Sequence, residues 1–330
     1  MNIDDIRRRL RTQGAKTCHE DCLLRAWVRV QPLDNRHRHA EDYLPLGVRE
    51  ALPALNAELL GLARLRAEYP GEDGSARLLI ELADGQTVES VLLPRGGLCV
   101  STQVGCAVGC VFCMTGRDGL RRQLGSAEIV AQVALARSRR AVTKVVFMGM
   151  GEPAHNLDNV LEAIQLLGTV GAIGHKQLVL SSVGDRRVFE RLPQGLVKPA
   201  LALSLHSTSA ALRAKLLPKA PRIDPKELVD RGECYARATG YPIQYQWTLL
   251  AGINDGDEEL KGIVRLMADK YAMMNFIPYN ANDGFPFSRP TWERASAMAR
   301  WLQQRGIVTR LRNSVGQAID GGCGQLRARA

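Results

Sequence analysis

Leu78, Ile80 and Leu82 occupy alternate positions, and after Ala83-Asp84-Gly85-Gln86 the alternation resumes at Val88, Ser90 and Leu92. A period of two on either side of an Asp-Gly pair predicts a β-hairpin. Glu89, between Val88 and Ser90, falls on the opposite face, which predicts a surface carboxylate on an edge strand. Upstream the period changes. Ile3, Ile6 and Leu10, then Leu52, Leu55, Leu59, Leu62 and Leu65, recur at helical spacing, so residues 1 to about 70 read as helical. The pattern divides the chain into a helical accessory module over 1–75 and a core over 76–330 that opens with the hairpin.

Beyond residue 120 the two periods alternate. Helical stretches are predicted from Ser126, a suitable N-cap, to about Arg140, and over Leu157–Val170, Pro225–Ala238, Glu258–Lys270 and Trp292–Arg305. Between them lie apolar runs predicting strands: Lys144–Met148, Leu178–Ser181, Ala200–Leu205, Ile243–Leu249, one ending at Asn275–Pro278, and Val308–Leu311. Strand-helix alternation means parallel pairing through right-handed crossovers. About six such units make an α/β fold, an incomplete (β/α)6 barrel rather than a closed eight-stranded one.

Ligands in such folds bind at the carboxyl ends of the strands. Several stretches fall there: Gly149-Met150-Gly151-Glu152-Pro153, Ser181-Ser182, Ser204-Leu205-His206 and Asn280. Glycines turn chains and serines cap helices, so each has an ordinary explanation, but all share one rim. Gly149 and Gly151 leave room for a ligand near the backbone, and Glu152 suits a cationic amino group.

Composition narrows the class. Of 330 residues, 45% are hydrophobic and 24% charged, as in globular proteins, and no apolar run is long enough to span a bilayer. Met1-Asn2-Ile3-Asp4-Asp5 is not the start of a signal peptide, which points to a cytoplasmic protein. Forty-four Lys and Arg against 34 Asp and Glu give a net charge of +10, a footprint that nucleic-acid binders share with many basic proteins. Arg36-His37-Arg38-His39 reads equally as a solvated loop or a phosphate-contacting one.

The cysteines carry the sharpest signal. Four of eight lie within Leu98–Cys113, and Cys106, Cys110 and Cys113 are spaced C-x3-C-x2-C. Three thiolates on so short a loop suit three irons of a cubic iron–sulfur cluster and leave the fourth iron open. Structural zinc and buried apolar cysteines are the alternatives, but zinc wants four ligands and no second pair stands nearby. Cys18 and Cys22, with His19, lack a further ligand pair and read as cysteines of a short helix. Cys234 reads as core. Cys323, in Gly321-Gly322-Cys323-Gly324-Gln325-Leu326, sits between glycines on what reads as mobile, uncrowded backbone, and Cys99 stands seven residues before the triad.

The triad with its Gly-Glu strand end resembles the radical S-adenosylmethionine (SAM) superfamily. The run Leu98–Cys113 with Cys99, Gly149–Pro153, Ser204-Leu205-His206 and Cys323-Gly324-Gln325-Leu326 resembles, within it, the RlmN/Cfr RNA adenine methyltransferases, from about residue 76 to the end. The resemblance implies a [4Fe–4S] cluster on Cys106, Cys110 and Cys113, with SAM on its open iron and in a cradle of Gly151, Glu152, Ser181, Ser204, Leu205, His206 and Asn280. It implies a methyl-carrying Cys323, a resolving Cys99 that forms a transient disulfide with it, and Glu89 as proton acceptor. It further implies a monomer served by an electron donor such as flavodoxin or ferredoxin, acting on 23S ribosomal RNA and also on transfer RNA. Pro153 favours the branch that methylates adenine carbon 2 over the carbon-8 branch. Arg117, Arg121 and Arg122 are then candidates for phosphate contacts, or a solvated approach to a helix. The chain departs from the family in keeping only Asp320 of the acidic residues before Cys323, and in the charged Asp185-Arg186-Arg187. A radical enzyme acting on another RNA position or a small molecule, and a non-catalytic iron–sulfur RNA-binding or redox-sensing protein, are the alternative functions.

Overall fold

A computed structural model describes residues 1–34 and 39–328, so Arg36, His37 and Arg38 lie outside the described residues. Four helices come first: α1 (Ile3–Thr12), α2 (Thr17–Arg29), α3 (Ala40–Tyr43) and α4 (Leu46–Gly61). Three antiparallel strands follow, β1 (Arg64–Pro70), β2 (Ala76–Glu81) and β3 (Thr87–Leu93), then β4 (Gly97–Cys99). Strands β5 (Gln103–Gly105) and β6 (Leu120–Gln123) pair with each other across the base of the cysteine loop. Thereafter helix and strand alternate: α5 (Ser126–Arg137), β7 (Lys144–Phe147), α6 (Leu157–Gly168), β8 (Leu178–Ser182), α7 (Arg186–Arg191), β9 (Ala200–Ser204), α8 (Ala210–Leu216), α9 (Pro225–Thr239), β10 (Ile243–Leu249), α10 (Asp257–Met267), β11 (Ala272–Pro278), α11 (Trp292–Gln303) and β12 (Thr309–Leu311).

Ten strands form one sheet in the order β1-β2-β3-β4-β7-β8-β9-β10-β11-β12, parallel from β4 onward and open at both ends. The α/β fold with parallel pairing that the alternation predicts is therefore present, with six parallel strands after the cysteine loop. A seventh, β4, precedes it. At three residues β4 is too short to show a period, and it carries Cys99. Strands β7 and β9 are apolar along nearly their whole length because helices or core cover both faces.

Two boundaries differ from the pattern. Residues 64–70 are a strand rather than the last turn of a helix, and the hairpin is the inner part of a three-stranded antiparallel extension. Leu65 continues the leucine spacing, but pairing with β2, which satisfies a ladder of backbone groups, overrides so short a local signal. Nor is the helical module separate: Ile3, Ile6, Leu10, Leu24 and Val48 belong to the same apolar cluster as Val130, Phe147 and Leu203. Ser126 is the first residue of α5 rather than its N-cap; Gly125 takes that place, and its N–H donates to the Glu128 carboxylate at 2.7 Å. Freed from capping, the Ser126 Oγ accepts from Ile3 N–H at 2.8 Å and docks α1 against α5.

Polar ties complete the docking. Glu20, with 0% exposure, is bound by Arg7 at 3.0 Å and Arg11 at 2.7 Å. Arg137 at the end of α5 donates to the carbonyls of Val28 (2.9 Å), Gly171 (3.0 Å) and Val142 (3.3 Å), joining the ends of α2, α5 and α6. A guanidinium is suited to this because its five donors fan out in one plane. Removing it in Arg137→Ala leaves those carbonyls short of a donor, so stability falls by about 2 kcal/mol and Tm by about 4 °C; calorimetry giving an unchanged Tm would show that the carbonyls are satisfied without it.

Candidate active site

The β5–β6 ladder pins both ends of the loop that carries the triad. Cys106 N–H donates to Gly119 O at 3.0 Å, Val111 N–H to Leu216 O at 3.1 Å, and Lys219 N–H to Val108 O at 3.2 Å, so the loop is fixed at its base and along its outer side. All three sulfur-bearing residues line one cavity of ≈830 Å³, counted to its open mouth. Burial pushes the Cys106 thiol up to about 12, and raises Cys110 and Cys113 as well, with the neighbouring thiols adding to the effect at Cys110. Empty, the triad holds its protons; a cation or cluster that binds there must release them. Among the described residues no group of three His, Cys, Asp or Glu closes around a point that one metal ion would fill. A single zinc, at bonds of about 2.3 Å, would draw its sulfurs to within about 4 Å of each other. Three thiols of one short loop that line one cavity suit a cluster of several irons.

The other wall is the rim of strand ends. Met148 and Gly149 follow β7, Ser181 lies in β8, Ser204 ends β9, Gln246 and Thr248 lie in β10, and Ile277 in β11, all lining the same cavity with Gly151, Glu152 and His206. The 149–152 turn is stitched to the chain between β4 and β5: Gly149 N–H donates to Val100 O at 3.0 Å, Met150 N–H to Ser101 Oγ at 2.8 Å and Glu152 N–H to Gln103 Oε1 at 2.7 Å. Here the glycines answer to the protein rather than to a ligand. A Cβ on Gly149 would lie 2.7 Å from the Val100 carbonyl, and one on Gly151, at φ +102°, 2.6 Å from the Gln103 side chain.

Glu152 is buried with its carboxylate aimed by two backbone donors, Ala154 N–H at 3.0 Å and Val183 N–H at 3.1 Å. Burial still dominates and raises its pKa to about 7. A cationic group entering the cavity would favour the charged form. His206, at φ +57°, accepts the Thr248 N–H at its Nδ1 over 2.9 Å, which leaves Nε2 as the donor of the neutral ring. Burial, with the Arg213 charge nearby, drives its pKa down to about 3, so the ring stays neutral at physiological pH. Phe112 of the cysteine loop meets it edge-on, with ring centroids 5.0 Å apart. Arg213 lies buried behind this wall, donating to Val183 O at 2.5 Å and Ser204 O at 3.1 Å.

A second cavity, of ≈970 Å³, shares Cys113, Thr115, Met148, Gly149, Ile277, Cys323 and Gly324 with the first. Cys99 lines it from β4, so the fold brings residues 99 and 323 to one space and places Cys323 where the two cavities meet. Cys323 is open to solvent through the mouth yet ringed by protein. Desolvation raises its pKa and the Arg312 guanidinium opposes the rise. Cys99 is pushed up to about 12, by burial first and then by the Cys323 sulfur. All eight cysteines are free.

Other expected residues fall elsewhere. Leu205 and Asn280 are not part of either cavity lining. Leu205 N–H extends the sheet to Gln246 O at 3.1 Å, and Asn280 Nδ2 instead donates to Cys323 O and Ser314 Oγ, both at 3.0 Å. Glu89 is not a surface carboxylate on an edge strand: β3 lies between β2 and β4, and the side chain is 1% exposed. The backbone around Cys323 is not uncrowded, since a Cβ on Gly322 would meet Gln325 at 2.6 Å and Asn280 at 2.8 Å. Of the arginines, Arg122 is taken up by Asp84 at 2.7 Å and Glu128 at 2.8 Å, Arg117 donates to Asp283 O at 3.3 Å, and Arg121 is exposed on β6. Cys234 is exposed on α9 rather than core, and Cys22 Sγ lies 3.5 Å from the Tyr43 hydroxyl.

The sequence reading missed Gln246 and Thr248, which alternate with apolar neighbours in Ile243–Leu249. In a strand flanked by parallel partners, such a polar row is a signal of a site. Among the described residues Gln246 Oε1 is a buried acceptor without a hydrogen-bond partner, and since Gln246 lines the cavity it suits a ligand that brings a donor to the rim.

Comparison with known proteins gives the family. Residues 100–267 match the radical SAM superfamily model. A probable RNA methyltransferase of Aromatoleum aromaticum is 74% identical, over 100% of this chain and 93% of that protein, and one of Leptothrix cholodnii is 71% identical, over 100% and 95%. A crystal structure of a radical SAM methyltransferase from Sphaerobacter thermophilus superimposes with a TM-score of 0.85 at 32% identity, covering 100% of this chain and 98% of the other. With its three-thiol loop, glycine-rich strand end and open parallel sheet, the chain belongs to the radical SAM superfamily, whose cofactors are a [4Fe–4S] cluster and S-adenosylmethionine.

Proposed function

We propose that the protein is a radical SAM methyltransferase that methylates an adenine of RNA, at carbon 2, through a methyl group carried on Cys323. One observation carries this reading: Cys323 stands at the junction of the cavity ringed by Cys106, Cys110 and Cys113 and the cavity lined by Cys99. Relatives more than 70% identical over the whole chain, called probable RNA methyltransferases, support RNA as the substrate. The +10 charge supplies phosphate attraction, with Arg117 and Arg121 near the cysteine loop as contacts. The 23S ribosomal RNA, and transfer RNA as a second substrate, follow from the resemblance alone, as does the choice of carbon 2 by Pro153.

Cys106, Cys110 and Cys113 would hold the cluster, and Glu152, Ser181, Ser204 and His206 would hold S-adenosylmethionine against it. When bound, the pair supplies a methyl group and, on reduction by a flavodoxin or ferredoxin, an adenosyl radical, the chemistry needed at a carbon too weakly nucleophilic for polar transfer. The chain's own part is positional. Glu152 orients a cationic amino group, the neutral His206 offers only a donor, and the Phe112 ring covers the wall beside it. The second cavity, walled by Leu93, Val146, Ile277 and Leu326 with Asn313 and Ser314 at hand, has room for an unstacked base. The Cys323 methyl carbon would give one hydrogen atom to the adenosyl radical and bond to adenine carbon 2, which would lose its proton and return one electron to the cluster; the Cys99 thiolate, in the same cavity, would then displace that carbon from the Cys323 sulfur, leaving a disulfide and a methylated product that takes up one proton.

Anaerobically purified protein therefore carries one methyl group on Cys323, seen by peptide mass spectrometry; an unmodified Cys323 after turnover with S-adenosylmethionine would defeat the proposal. In Cys99→Ala the release step is gone and a covalent RNA–protein adduct accumulates, visible as a band shift on denaturing gels; free methylated RNA from that variant would remove Cys99 from its role. Replacing any one of Cys106, Cys110 or Cys113 by Ala abolishes the broad visible absorption of the cluster, whereas full absorption would reassign the ligands.

A further inference from the structure

The antiparallel extension β1–β3 takes no part in either cavity wall apart from Leu93 at its end, yet it carries a buried ion pair. Arg77 of β2 is 8% exposed and Glu89 of β3 1% exposed, and the guanidinium bonds directly to the Glu89 carboxylate. The Arg77 Nε and the second Glu89 oxygen both engage the carboxyl-terminal segment. Arg77 Nε donates to Ile319 O at 2.7 Å, and Glu89 Oε2 accepts from Arg327 N–H at 2.8 Å and Ala328 N–H at 2.9 Å. The Tyr69 ring of β1 lies 4.1 Å beneath the guanidinium carbon and fixes its plane. Ile319 is four residues before Cys323, and Arg327 four after it.

We propose that Arg77 and Glu89 form a two-armed clamp that positions the loop presenting Cys323, grasping it once on each side of the cysteine. The assignment deepens the proposed methyl-carrier role of Cys323 and rests on it. A buried ion pair is expensive to keep, and replacing one by apolar residues often leaves a protein as stable or more so. A pair whose Nε donor and second carboxylate oxygen both end on one glycine-rich loop is explained by what it holds. Its geometry is also stringent, since a lysine at 77 could reach one partner but not span both. Neighbouring ties act in the same sense: Asp73 Oδ2 accepts from Gly316 N–H at 2.7 Å, and Thr115 Oγ1 donates to Leu326 O at 2.6 Å. In this arrangement Glu89 serves as a positioning residue, its carboxylate filled by Arg77 and two backbone N–H groups, and it lines neither cavity.

The test uses full-length protein produced without its cluster and reloaded anaerobically with iron and sulfide before any S-adenosylmethionine is added, so that Cys323 enters it as the unmethylated thiol. In Arg77→Lys, which keeps the charge beside Glu89, and in the double variant Arg77→Met/Glu89→Met, which leaves no unpaired charge in the core, hydrogen–deuterium exchange over residues 316–328 and alkylation of Cys323 by iodoacetamide both speed up by about tenfold or more. Arg66→Met, which removes the exposed Arg66–Glu81 pair between β1 and β2, matches the wild type. With S-adenosylmethionine, reductant and RNA, 5′-deoxyadenosine release stays within about twofold while methyl groups transferred per cleavage fall about tenfold or more, an uncoupling that loss of fold would not give. Unchanged exchange and alkylation in both variants, or full coupling in a variant whose loop has loosened, would overturn the clamp. The exchange and alkylation measurements need no RNA, so a wild type that loosens on mutation but methylates no RNA defeats the proposed function and leaves the clamp standing.

Discussion

Parallel strands impose one constraint on everything else in this protein. A chain that re-enters a sheet in the same direction must cross back over its face each time, so each strand delivers the residues after it to the same edge. Six successive pairings from β4 to β12 obey this, and they place Gly149, Ser181, Ser204, Thr248 and Ile277 around one opening despite separations of up to 128 residues in sequence. No local interaction among these residues is needed to assemble the rim. The backbone hydrogen bonds of the sheet do it.

The cysteines come to that rim by different means. The triad arrives on a loop whose ends are closed by the β5–β6 ladder, and Cys99 by the pairing of β4 with β7. Cys323 comes on an irregular segment after the last strand, and irregular segments must be tied down by side chains because they lack a ladder of their own. Asn280, Asn282, Thr115, Arg77 and Glu89 provide those ties, and all of them end on backbone groups of residues 319–328. Arg137 ties the helical module down in the same manner, through the Val28 carbonyl, while Arg7 and Arg11 on Glu20 join α1 to α2 within it.

Electrostatically the site is built for groups that arrive from outside. Burial holds the triad thiols, the Glu152 carboxyl and the His206 ring toward their neutral forms when nothing is bound. Three thiols that must lose protons on loading make assembly of the site favour high pH, because each proton released shifts the equilibrium with it. Arg213, held behind Ser204, stays out of the cavity lining while its charge still reaches Cys110 and Glu152.

Periodicity and spacing alone determined much of this. The six strand-helix units, the hairpin at Asp84-Gly85, the triad and the shared rim all follow from patterns within about fifteen residues of one another, where chain geometry dictates which side chains can share a face. Long-range packing decided the rest. That Leu65 lies in a strand, that Glu89 is buried, that Gly149 and Gly151 make way for Val100 and Gln103, and that Cys323 reaches the cavity of Cys99 each depend on a partner far along the chain. Local sequence cannot encode such neighbours. A carboxylate at every second position of a strand reads as solvent-facing until the tail that covers it, more than two hundred residues later, has folded over it.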